Sequence, residues 1–213
     1  MRVCFLAPVL DVFKGGNHLP LLAACHDVQF TILTNHTKPK HPSLPFNVQV
    51  EMLGARLGPY EYGCADFLFA RAVLRRYPTT HAFWQRFDVI HLNQTMGPAL
   101  LSLQKTGFPV CLLIHHPVSV DRAVALEESS FLEGLRWRAK YALLVRWQRR
   151  FCKILPTVIT VSQTAADRIA LDYGCDRSKI HVVPNGVDGE IFRPGDLGSA
   201  FDVIAVGALM HPR

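Results

Sequence analysis

With 213 residues, 49% hydrophobic and 19% charged, and with no repeat or low-complexity segment, the chain can fill one good-sized core and falls outside the disordered classes. Its formal charge of +6 is modest, so where the positive groups concentrate matters more than their sum. No apolar run reaches the ~20 residues of a membrane span, and the opening "MRVCFLAPV" halts at Pro8 before Asp11 and Lys14, which reads as a first strand and not a secretory leader.

Short β-rich runs then alternate with longer helix-like ones. "RVCFLAPV" is followed by a candidate helix from about Asn17, then by "VQFTILT", "NVQVEML", a helical stretch from Cys64 to Tyr77, "FDVIHL", a helix after Thr95 and "FPVCLLIHH". A long helix from about Val120 to Cys152 comes next, then "TVITVS", a helix over Ala165 to Tyr173, "KIHVVPN" and finally "FDVIAVG". Strands that are apolar on both faces and alternate with helices predict an α/β domain with a mostly parallel sheet. Right-handed crossovers place all strand C-termini on one edge, where open α/β sheets bind ligands. Six scattered cysteines form no Cys-x-x-Cys signature and predict buried thiols in a reducing, cytoplasmic setting.

That edge supplies the candidate residues. In "KGGN", Gly15 and Gly16 precede a helix and, with Asn17, would let backbone N–H groups approach a phosphate or a sugar; a tight strand-to-helix turn needs the same glycines. His115 and His116 end an apolar strand before Pro117, and an imidazole there can bind a hydroxyl or polarise a leaving group, with at most one of the two facing the cleft. His91 follows its strand similarly, with Asn93 and Gln94 beside it. Each histidine has a structural, hydrogen-bonded reading as well. No Cys or carboxylate stands at ligand spacing beside the histidines, so no metal is expected. Ser162 fits a helix cap or a hydroxyl contact, since no Gly-x-Ser-x-Gly elbow surrounds it.

From Arg136 to Lys153 the chain carries seven basic residues and no acidic one. At 100° per residue, Trp137, Tyr141, Leu144, Trp147 and Phe151 form a stripe for burial, and Arg138, Arg146, Arg149, Arg150 and Lys153 share the other face. Such a face suits anionic lipid headgroups or an anionic acceptor, and equally a merely solvated surface. The aromatics lie on the face the core needs, which argues against nucleic acid.

Taken together these segments resemble the N-terminal half of the GT-B glycosyltransferases of family 4. "FKGGNHLPLLAACHDVQFTILT" is similar to that family's glycine loop and first crossover, "FDVIHLN" and "FPVCLLIHH" to its histidine-bearing strands, and "TVITVSQTAADRIALDYGCDRSKIHVVPNGVDGEIFRPGD" to its approach to the hinge. The resemblance implies a Rossmann-like first domain over residues 1–194 and a hinge with the first strand of an incomplete donor-binding domain over 195–213. It implies transfer of a sugar, with retention, from a nucleotide sugar (UDP- or GDP-linked) to a hydroxyl of a glycan or lipid-linked acceptor, without a metal. Gly15 and Gly16 would approach the donor phosphate or the acceptor, and His115 would lie near the transferred sugar. Asn185, Gly186 and Asp188 would form the loop entering the hinge.

The family's pair of glutamates that grip the donor belongs to the second domain, and Ala208 stands where relatives carry an arginine for the diphosphate. The expectation is an acceptor-side half, truncated and inactive alone, with a peripheral place at the inner face of a membrane. The alternative is a non-catalytic acceptor-binding or scaffolding subunit that pairs with a separate donor-domain chain. A GT-B epimerase is disfavoured by "VPNGVD" followed by Phe-x-Pro.

Overall fold

The computed structural model describes residues 1–11, 25–38, 44–56, 64–94, 96–127 and 129–186. Its strands are β1 (Arg2–Leu6), β2 (Val9–Asp11), β3 (Gln29–Thr34), β4 (His36–Lys38), β5 (Val48–Met52), β6 (Val89–Asn93), β7 (Val110–Ile114), β8 (Thr157–Thr160) and β9 (Ile180–Val182). The helices are α1 (Cys64–Arg76), α2 (Val118–Glu127), α3 (Phe131–Ile154) and α4 (Gln163–Tyr173), joined by 3-10 turns at Ala82–Arg86, Pro98–Thr106 and Arg177–Lys179.

Seven strands pair in the order β5-β3-β1-β6-β7-β8-β9, every ladder parallel. From β1 the chain moves outward to β3 and β5, then returns to the other side of β1 with β6 and continues outward. The direction of travel therefore reverses between β1 and β6, which is where open sheets of this kind bind ligands. A short parallel pair, β2 with β4, stands apart from this sheet and has no counterpart in the sequence reading.

Pattern explains the core. Ile90 and Leu92 of β6, and Leu112 and Ile114 of β7, point to one face by the two-residue strand period, and all four are fully buried. Ala65, Phe69, Ala70 and Val73 of α1 recur at helical spacing and bury against the same cluster, with Trp84 and Phe151. A fully buried Phe or Leu in this cluster contributes about 1.5–3 kcal/mol of transfer free energy.

Three boundaries differ from the sequence reading. The long helix from Val120 to Cys152 is two helices, because Ser130 N–H (3.1 Å) and Oγ–H (2.7 Å) both donate to Glu133 Oε2 and start α3 afresh. That is a capping box, and it outweighs the helical spacing running across it. The helix after Thr95 is the 3-10 turn Pro98–Thr106, closed by Gly107 at φ 82°. "FPVCLLIHH" stops being strand at Ile114, so both histidines lie beyond β7. The helix from Asn17, "FDVIAVG" and the boundary at 194/195 lie outside the described residues.

Candidate functional site

His91 lies inside β6, not after it, paired with Phe5 of β1 and Cys111 of β7. It therefore sits on one of the two strands that flank the reversal point. Its ring centroid is 4.8 Å from that of Phe5. Burial, and next the field of His115, lower its pKa from 6.5 to about 4, so the ring is neutral at physiological pH. Nε2 of His91 is buried with no hydrogen-bond partner, and so is Oδ1 of Asn93, two residues on along the same face of β6. An unpartnered buried polar atom costs about 1–3 kcal/mol, and here two such atoms stand together at the strand C-termini.

Gln94 holds this edge in shape. It adopts φ 60°, a left-handed conformation unfavourable for a side chain of its kind. From there its backbone N–H donates to Leu113 O (2.7 Å), its Oε1 accepts from His115 N–H (2.9 Å) and its Nε2 donates to His116 O (3.0 Å). The turn after β7 is thus clamped to the end of β6, and His115 is held close enough to depress the pKa of His91. The sequence placed Gln94 at the edge without a role.

His116 goes elsewhere. Its exposed ring pairs with Asp121 of α2, Nε2 to Oδ2 at 3.0 Å, and that hydrogen bond raises its pKa. The first turn of α2 is closed by other side chains: Val118 N–H donates to Gln148 Oε1 (3.0 Å), Ser119 N–H to Tyr173 Oη (3.1 Å), and Tyr173 O–H to Gln148 Oε1 (2.5 Å). Those two amides are consequently not offered to an anion.

Ser162 is the N-cap of α4, accepting from Ala165 N–H at 3.1 Å, so of its two readings the cap is the one seen. Asn185 and Gly186 are exposed beyond β9. Gly15, Gly16, Asn17 and Asp188 lie outside the described residues. Arg138, Arg146, Arg149, Arg150 and Lys153 are all exposed along α3, and Arg149 Nη2 donates to Asp172 O (2.8 Å). Among the described residues no group of three or more His, Cys, Asp or Glu could hold a metal ion.

Two groups at or near this edge escaped the sequence reading. Asp66, in the first turn of α1, has its carboxyl pushed up to about 7 by burial. Gly97, just beyond β6, packs against that turn so closely that an added Cβ would meet Asp66 O and Ala70 Cβ at 2.7 Å. Arg122 of α2 has a buried Nε without a partner. An acid in a helix's first turn and a lone arginine look like solvated charges in sequence, and no local signal marks them as buried.

A seven-stranded parallel sheet with its reversal point beside β6 is a Rossmann-like arrangement. The family described as Glycosyltransferase Family 4 matches residues 20–190. The chain belongs to that family. This glycosyltransferase family 4 chain is 35% identical over 132 residues to the MMP alpha-(1->4)-mannosyltransferase of Mycolicibacterium hassiacum, covering 59% of the chain and 30% of that protein. It is 28% identical over 179 residues to the D-inositol 3-phosphate glycosyltransferase of Acidothermus cellulolyticus, covering 80% and 37%. The matches thus span about a third of the length of these relatives. Sucrose-phosphate synthase from Thermosynechococcus elongatus shares the fold, with a TM-score of 0.60 at 16% identity over 92% of this chain and 50% of that one. The architecture is that of the first, Rossmann-like half of a GT-B fold.

Proposed function

We propose that this chain provides the acceptor-side half of a glycosyl transfer, from a nucleotide sugar (UDP- or GDP-linked) to a hydroxyl group, with retention at the anomeric carbon. The observation that carries the reading is the pair of buried, unpartnered atoms, His91 Nε2 and Asn93 Oδ1, at the reversal point of the sheet. A polyol meets that need: one hydroxyl donates to Asn93 Oδ1 while another pairs with the neutral His91 ring. The relatives' names, a mannosyltransferase and an inositol-phosphate glycosyltransferase, support a sugar or cyclitol as acceptor class.

In this reading His115, held by Gln94, stands beside the transferred sugar and hydrogen-bonds it. Gly15, Gly16 and Asn17 serve the donor phosphate or the acceptor, and Asn185, Gly186 and Asp188 belong to the loop entering the hinge, as the family resemblance implies. The donor is gripped mainly by a second domain, as the family resemblance implies. Much of the rate enhancement then comes from fixed dipoles and positive groups around the leaving diphosphate.

The test is an NMR titration of histidine-labelled chain with inositol phosphate, mannose and short mannosides. The His91 and His115 signals should move with one class, and the response should vanish in His91→Leu. Robust transfer or hydrolysis of UDP- or GDP-sugars by the chain alone, surviving His115→Ala, would overturn the half-site reading.

A further inference from the structure

α3 carries seven basic side chains against one acidic one, Glu133, so its net charge of +6 equals that of the whole chain. That single carboxylate is occupied by the Ser130 cap. The outward side of this helix is not purely charged. Phe131 is 85% exposed, Leu132 73% and Leu135 59%, with Leu143 and Ile154 also exposed further along. Trp137 stacks on Tyr141 at 5.9 Å one turn from this apolar end, with Lys140 Nζ 4.6 Å from the Trp137 ring centroid.

The placement of this end follows from its anchors. The C-terminal turn of α3 is tied at the edge where strands begin, by Gln104 Nε2 to Ile154 O (3.4 Å) and Lys179 Nζ to Lys153 O (3.3 Å). Gln148 meets the start of α2, four residues past the C-terminus of β7, so it already stands at the opposite edge. At ~1.5 Å per residue, the remaining turns from Gln148 to Phe131 make up about 25 Å of helix on the far side of that anchor. α2 returns alongside, with Leu126 and Ser129 packed against Gly134 near the tip. A helical hairpin therefore projects from the edge that bears His91, Asn93 and His115.

We propose that the tip of this hairpin docks on an anionic lipid bilayer, with Phe131, Leu132 and Leu135 inserted among the headgroups and Arg136 and Arg138, within a turn of them, paired with lipid phosphates. Exposed leucines and a phenylalanine interleaved with arginines, with tryptophan and tyrosine nearby, match the chemistry of that interface. No helix among the described residues is long and apolar enough to cross a membrane, so the contact is peripheral. A second copy of the chain fits poorly, because a symmetric contact would bring two +6 helices together. Resting on the function proposed above, the contact turns the sugar-binding edge toward the headgroups, which suits an acceptor hydroxyl carried on a lipid.

The experiment is flotation of the whole chain with phosphatidylcholine vesicles, with and without phosphatidylglycerol. Binding should require the anionic lipid, weaken with salt and shift Trp137 emission to the blue. The tip variant F131S/L132S/L135S and the charge variant R136E/R138E should each bind at least about tenfold more weakly. Circular dichroism melts check folding, and L132S alone serves if a multiple variant fails to fold. Absence of binding to anionic vesicles, equal binding to neutral ones, or indifference to charge reversal overturns the proposal. Self-association abolished by the tip variant, without vesicle binding, assigns the surface to a second copy and overturns it too. Loss of sugar binding with vesicle binding intact would strike only the proposed function.

Discussion

The N-terminus of α2 and the C-terminus of β6 lie on the same edge of the sheet and treat buried polar groups in opposite ways. At α2, Gln148 and Tyr173 satisfy the amides of Val118 and Ser119 and each other. At β6, His91 Nε2 and Asn93 Oδ1 are left without partners, although Gln94 next door makes three hydrogen bonds from a left-handed backbone. The contrast separates a joint that holds the scaffold from a surface kept for a ligand. Only the first should lose stability when its polar groups are removed.

The largest effect expected is at the joint. Gln148→Leu leaves the Val118 amide and the Tyr173 hydroxyl buried without their shared acceptor, and should cost about 3 kcal/mol in urea unfolding. A cost near zero would mean that this end of α2 is open to water, and the contrast would collapse.

Asp66 provides the next test. Its folded pKa is raised from 3.8 to about 7, so its contribution to stability is fully present below the unfolded value and lost as pH rises through the folded one. Asp66→Asn should therefore stabilise the fold by about 2 kcal/mol at pH 8, after discounting for partial exposure, with the gain shrinking toward pH 4. Unfolding curves at the two pH values check the sign. A gain independent of pH would place the carboxyl in water.

The smallest effect has the opposite sign from the first. His91→Leu removes a desolvated ring nitrogen and should stabilise the chain by about 1 kcal/mol while abolishing sugar binding. A loss of stability instead would show that the ring is part of the scaffold, and would move the site away from β6.

Much of this architecture was legible beforehand. The strands "VQFTILT", "TVITVS" and "FDVIHL", and the helices at Cys64 and Ala165, follow from hydrophobic period and length, and all are present within a few residues. The break at Ser130 was also written in the chain, as Ser-x-x-Glu, although the sequence reading ran one helix across it. The histidines show where local pattern stops being informative. "LLIHH" reads as a strand running through both, yet His115 leaves the ladder and is pinned by Gln94, 21 residues earlier. His116 turns out to Asp121, five residues later.

The sequence by itself determined the class of fold, the parallel sheet and the family, because each rests on the order and period of apolar runs and on turn residues that act locally. Which polar groups would be satisfied was decided only by the tertiary structure. Burial of His91, the raised pKa of Asp66 and the projection of α3 past the sheet edge depend on neighbours distant in the chain, and desolvation is a property of the packed surroundings and not of the residue.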